Sequence, residues 1–128
     1  MTEKTLGEIM SRPIDAYSEE NAHRKASMHA IGKRQLRRLS AALGLASTDR
    51  DIRSNMGGIA VSGEVTLHTD TLYVQISQSC LGQGHEILFR RCSGRDDYCG
   101  QTNHFAPAHR LDDARDFAKG LRRAGMNV

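Results

Sequence analysis

IAVSGEVTLHTDTLYVQIS, residues 59 to 77, alternates apolar and polar side chains on either side of a short polar break. Ile59, Val61, Val65 and Leu67 stand against Ala60, Ser62, Glu64, Thr66 and His68; beyond His68-Thr69-Asp70-Thr71, Leu72, Val74 and Ile76 stand against Tyr73, Gln75 and Ser77. A period of two puts successive side chains on opposite faces of a pleated strand. The stretch therefore reads as two antiparallel strands joined by a tight hairpin. Cys80 to His85, with Gly82 and Gly84, supplies a second turn, and Glu86 to Cys92, centred on Ile87, Leu88 and Phe89, a third strand. A three-stranded antiparallel meander is expected, apolar on one face and displaying Glu64, Thr66, His68, Tyr73, Gln75 and Arg90 on the other.

Upstream the period is helical. Ser18 followed by Glu19 and Glu20 is an N-cap with acids in the first turn, where unsatisfied N–H groups and the helix dipole favour negative charge. Met28, Ile31, Leu36, Leu39, Ala42, Leu43 and Ala46 then fall in one arc at about 100° per residue, with His29, Lys33, Arg34 and Arg37 opposite. This predicts an amphipathic helix with a basic outer face, ended at Gly44. Thr48 and Asp49 can cap a short second helix running through Asn55 before Gly57-Gly58 breaks the chain. Residues 1 to 17 are polar, contain Pro13 and show no sustained period, so they read as a flexible N-terminal arm ahead of a single domain spanning 18 to 128.

Downstream, Asp112 is placed to cap a last helix with the apolar stripe Leu111, Ala114, Phe117, Ala118, Leu121 and Ala124, ended by Gly125. The expected fold class is α+β: amphipathic helix, short helix, three-stranded meander and C-terminal helix, with the helices packed on one sheet face. Residues 93 to 110 would connect the last strand to the last helix without secondary structure of their own. A connection that long in a compact domain is usually functional or disordered. Tyr98, Phe105 and Pro107 give this one side chains to pack, and it reads as an ordered binding loop.

The 128 residues suffice for one domain, and 38% hydrophobic content with no Trp limits the core to aliphatic residues and a few rings. The net charge of +3 is small, but its distribution is uneven. No Asp or Glu occurs from Ala22 to Thr48, a window holding Arg24, Lys25, Lys33, Arg34, Arg37 and Arg38. A merely solubilising helix face usually mixes signs to gain i,i+4 pairs, so an acid-free run points to an anionic partner. Three cysteines, an odd number, and an N-terminus without a basic start or apolar run fit a cytoplasmic protein with reduced thiols and no membrane partner.

Several chemistries can be weighed on this sequence. Cys92, Cys99, His104 and His109 have six, four and four residues between them, within reach of tetrahedral zinc, but no C-x-x-C knuckle pre-forms two ligands. Zinc is a weak reading, and no cofactor is expected. His68, His85, Glu86, Tyr98 and His104 could act as acids or bases, and Arg90 and Arg91 could stabilise an anion, as a small nuclease-like enzyme needs, yet nothing sets them in a constellation. LRRLSAALGLASTDRDI, from residue 36, matches the first half of a helix-turn-helix, but Arg50 and Arg53 stand where its second helix needs apolar residues. The order helix, three strands, helix is similar in topology to a double-stranded RNA-binding domain. Leu111-Asp112-Asp113 replaces the lysines of that module's last helix, and Asp70 makes the hairpin acidic, so the assignment is not made.

The reading is a small non-enzymatic binding or regulatory protein that engages nucleic acid, or an acidic or nucleoprotein surface. Lys33, Arg34, Arg37 and Arg38 on the helix, with Arg95, Tyr98 and His104 on the loop, are the candidate contacts. The alternative partner is a host protein complex, blocked by an antagonist of the kind mobile elements encode, anti-CRISPR proteins among them. Self-association as a homodimer is left open.

Overall fold

A computed structural model describes residues 5–14, 18–57, 61–78, 81–97 and 101–126. The one-turn helix α1 (Leu6–Ile9) and the long helix α2 (Glu19–Ala42) precede five strands, β1 (Asp51–Asn55), β2 (Glu64–His68), β3 (Leu72–Ile76), β4 (Ile87–Arg91) and β5 (His104–Ala106), and helix α3 (Ala114–Arg123) follows them. The sheet is an antiparallel meander in the order β1-β2-β3-β4-β5. The α+β class and the expected central hairpin are both present. Thr69 closes that hairpin: its N–H meets the Leu72 carbonyl at 2.8 Å, and its hydroxyl accepts from Thr71 and Leu72 N–H.

The sheet has five strands, not three. Residues 51–55, expected as helix, form an edge strand paired to β2 with Ile52 opposite Leu67, and only a 3-10 turn at Ser47–Asp49 remains of the second helix. The first strand of the hairpin begins at Glu64; Val61 and Ser62 are in a turn, and Ile59 and Ala60 lie outside the described residues. The segment from 93 to 110 also has structure of its own. It contains β5, and a 3-10 helix at Ala108–Asp112 leads into α3, whose cap is Asp113 and not Asp112. Glu86, 5% exposed, fastens this return: its carboxylate accepts from Ala108 N–H at 2.9 Å and Gly84 N–H at 2.8 Å.

Alternation along each strand sends Val65, Leu67, Leu72, Val74, Ile76 and Ile87 to one face, where they meet Met28, Leu36 and Leu39 of α2 and Phe117, Ala118 and Leu121 of α3 in a single apolar cluster. Phe117 meets Phe89 of β4 edge-on at 5.4 Å. Ser18 caps α2 through Asn21 N–H at 3.1 Å. Gly44, at φ +78°, closes the other end by letting Leu45 N–H reach back to the Ser40 carbonyl.

The N-terminal segment, expected as a flexible arm, is docked over residues 5–14. Leu6, Ile9, Met10 and Ile14 belong to the core, and all four are buried. Arg24 holds the segment from α2 by donating to the carbonyls of Ile9, Arg12 and Pro13. Gln78 accepts from Ile14 N–H at 2.7 Å, and the Asp112 carboxylate accepts from Leu6 N–H at 2.9 Å and Gly7 N–H at 3.2 Å. The Leu6 and Gly7 N–H groups are ones that a helix start leaves without intrahelical partners.

Candidate functional site

Because α2 lies on the sheet through Met28, Ile31, Gly32, Leu36 and Leu39, the residues on its other flanks point elsewhere. Arg37 and Arg38 are exposed, whereas Lys33 and Arg34 are half-buried. His29, expected on the basic outer face, is buried: one ring nitrogen is 2.8 Å from the Ser62 carbonyl and the other 2.6 Å from the Ser54 hydroxyl. Burial lowers its pKa below the ordinary histidine value, the Ser62 hydrogen bond opposes this, and Lys25 and Lys33 add to the lowering. His29 therefore joins α2 to β1 and to the turn ahead of β2.

Helix α3 lies beside α2. Its Ala114, Phe117, Ala118 and Leu121 are buried, and Arg115, Lys119, Arg122 and Arg123 are exposed. Arg115, Lys119 and Arg122, spaced i, i+4, i+7, share one flank of the helix. That flank faces α2, because Arg122 donates to the Ala42 carbonyl at 2.9 Å and Arg115 joins Gln35, Arg38, Ala41 and Ala42 in lining a groove of about 570 Å³. Arg122 thereby places a cation on the negative end of the α2 dipole. Cations nearly eighty residues apart in the chain thus form the two walls of one groove.

The carboxylates at this groove are already engaged. Asp112 accepts the two N–H groups of α1, Asp113 caps α3 by accepting from Asp116 N–H at 3.1 Å, and Asp116 lies 3.9 Å from Arg110. Gln35, 3% exposed, donates to the Leu111 carbonyl at 2.6 Å, and its amide oxygen accepts from Arg38 Nη1 at 3.0 Å. Sequence reading found the α2 half of this surface but not Arg115, Lys119, Arg122 and Arg123. Their helical spacing was available as a signal; which neighbour they face was not.

The opposite sheet face is open at a smaller recess of about 230 Å³, bordered by Asp51, Arg53, Asn55, Glu64, Thr66, His68, Tyr73 and Arg95. Its signs are mixed and several of its groups are tied to one another. Arg90, only 7% exposed, stacks its guanidinium 4.4 Å from the centre of the Tyr73 ring, and His68 meets that ring edge-on at 5.1 Å. Burial depresses the His68 pKa; a hydrogen bond to the Gly94 backbone, Asp51 and Asp97 oppose this, and Arg90 adds to it. Arg95 donates to the Thr48 carbonyl at 2.6 Å and lies 3.3 Å from Asp70 and 3.8 Å from Asp51. The loop argininium thus latches residues 93–97 to the strand ends.

His104 lies on β5, exposed and stacked on Phe89 at 5.5 Å. Tyr98, the remaining loop candidate, is outside the described residues, as are Cys80 and Cys99. Of the proposed zinc ligands, Cys92 is buried with its thiol directed at the Thr69 carbonyl, and burial raises its pKa. His109 sits in the 3-10 helix beside α1. Among the described residues no group of three or more His, Cys, Asp and Glu side chains is placed to hold a metal ion. None of their helices is apolar enough to cross a membrane, although the 24 residues of α2 would be long enough. Comparison with protein-family models, curated proteins and solved structures finds no match.

Proposed function

We propose that this chain is a nucleic-acid-binding protein that grips the phosphate backbone with the outer face of α2 and α3. The observation that carries the reading is the groove between the two helices, where Arg38 on one wall faces Arg115 on the other. Arg34 and Arg37 extend the cationic surface along α2; Lys119, Arg122 and Arg123 extend it along α3. A surface this rich in one sign attracts a polyanion through the summed field, and each cation that neutralises a phosphate releases condensed counterions. Two of the acids near the groove, Asp112 and Asp113, accept hydrogen bonds from helix starts, which offsets part of their repulsion of an anion. The groove lining itself sets Arg38 and Arg115 beside Asp112 and Asp113, as the sheet-face recess sets Arg53 and Arg95 beside Asp51 and Glu64; the cationic excess of the helix face lies in the flanking Arg34, Arg37, Lys119, Arg122 and Arg123.

The donors on this surface are Arg and Lys side chains, bordered by the Asp112 and Asp113 carboxylates, with Gln35 buried beneath them. Backbone contacts of this kind position a protein on nucleic acid without selecting a base sequence. The test is fluorescence anisotropy with short duplexes of arbitrary sequence, titrated with salt, for the native chain and for the Arg37→Gln, Arg38→Gln, Lys119→Gln triple variant. Three lost phosphate contacts should lower the slope of log K against log salt by about 2.7, with little change between unrelated sequences. An unchanged affinity and slope in the folded variant would remove this face from the function.

A further inference from the structure

We infer that Arg38 is a pre-positioned fork for the two free oxygens of one phosphodiester, and that Gln35 is the residue that positions it; this rests on the reading of the α2–α3 face as the nucleic-acid interface. An exposed arginine ordinarily samples many rotamers and loses that freedom on binding. Arg38 is exposed at the groove, yet its guanidinium is tied through Nη1 to the amide oxygen of Gln35 at 3.0 Å. Gln35 does not wander either: it is 3% exposed, and its amide nitrogen is anchored on the carbonyls of Leu111 at 2.6 Å and Asp112 at 3.4 Å.

The amide can sit only one way round. Two carbonyls on one side require donors and a guanidinium on the other requires an acceptor, so Nε2 faces the 3-10 helix and Oε1 faces Arg38. The bond to Gln35 uses one of the five guanidinium N–H groups. The others include the paired N–H groups that match two phosphate oxygens in a bidentate contact.

Arg38 also differs from the other cations of this face. Arg122 is tethered, but to the C-terminal carbonyl of α2, whose partial negative charge offsets part of its own. The hydrogen-bond partner of Arg38 is a neutral amide, which takes none of its charge; Asp112 and Asp113 border the same groove, with their carboxylates accepting from the N–H groups of α1 and α3. Arg37 and Lys119 are exposed with no tether of this kind among the described residues. They supply field; Arg38 supplies a fixed geometry. Lysine, a point charge on a flexible stem, replaces the first role and not the second.

The experiment is a set of anisotropy titrations on one short duplex DNA with the full chain, supported by thermal unfolding of each variant. Arg38→Lys should lose affinity about tenfold, as expected for a charge-assisted bidentate contact, whereas Arg37→Lys should lose less than about twofold. Gln35→Leu should weaken binding several-fold, and the same change in an Arg38→Ala background should weaken it no further. Equal affinities for Arg38→Lys and Arg37→Lys would overturn the inference. So would a Gln35→Leu effect of the same size in both backgrounds, which is what a purely structural role gives. If the Arg37, Arg38, Lys119 triple variant binds like the native chain, the interface reading itself fails. If the triple variant is weakened and Arg38→Lys is spared, only the positioned fork fails.

Discussion

His29 accepts one proton state in its present surroundings. The Ser62 carbonyl can only accept, so Nε2 carries the hydrogen, and Nδ1 is then the acceptor for the Ser54 hydroxyl. That is the neutral ring, and burial with Lys25 and Lys33 nearby holds the folded pKa below the ordinary histidine value of 6.5. The unfolded chain, free of burial, takes up a proton first as pH falls. Stability from this residue is thus complete above about pH 6.5 and is lost as pH drops from there through the folded pKa. We expect the melting temperature to fall on acidification through this window, and the fall to be shallower in His29→Gln, which can keep both hydrogen bonds without titrating. His68, also depressed, adds in the same direction, so some slope should remain. An identical pH profile in His29→Gln would refute the assignment. None of this was visible on a helical wheel, where His29 falls beside Lys33; only the neighbouring β1 and the turn at Ser62 turn that flank into an interior.

Elements with strong periods were legible in the sequence, and those whose order comes from distant partners were not. The α2 repeat and the β2–β3 alternation run long enough to stand above noise, and Ser18 and Gly44 mark the ends of α2 by chemistry that acts locally. Strand β1 has a single core-facing aliphatic residue, Ile52, because it is the sheet edge; Asp51, Arg53 and Asn55 point to the open face, so no alternation of apolar residues announces it. Strand β5 is three residues long and is held by β4 and Glu86. Helix α1 is one turn, shorter than any helical period can reveal, and owes its place to Arg24, Gln78 and Asp112. Its contribution is measurable. Leu6 is fully buried, so Leu6→Ala should cost about 2–5 kcal/mol in denaturant unfolding, and Arg24→Met should also destabilise by leaving three carbonyls without their donor. A loss below about 0.5 kcal/mol for Leu6→Ala, the scale of an ordinary surface change, would mean that the segment is the loose arm its sequence suggests.

On the scale of the whole molecule, the layers divide the charge. The sheet face mixes Asp51, Arg53, Glu64, Asp70 and Arg95, and ties its loop down with ion pairs, while the helix face gathers more cations than acids, with arginines and a lysine of α2 and α3 outnumbering Asp112, Asp113 and Asp116. The acid-free run of α2 was a fair guide to half of that surface. The other half required α3 to lie beside α2, a placement set by Arg122 on the Ala42 carbonyl and by Phe117 on Phe89. Of the loop candidates, Arg95 is engaged by Thr48, Asp51 and Asp70, on the opposite side of the protein from the groove. The measurement that tests this division most directly is a two-dimensional amide NMR titration of the native chain with a short duplex. The account predicts that shifts will concentrate on residues 34–42 of α2 and 114–123 of α3, leaving β1 and β2 unmoved. Shifts centred instead on Arg53, Thr66 and Tyr73, or no shifts at low salt, would contradict it.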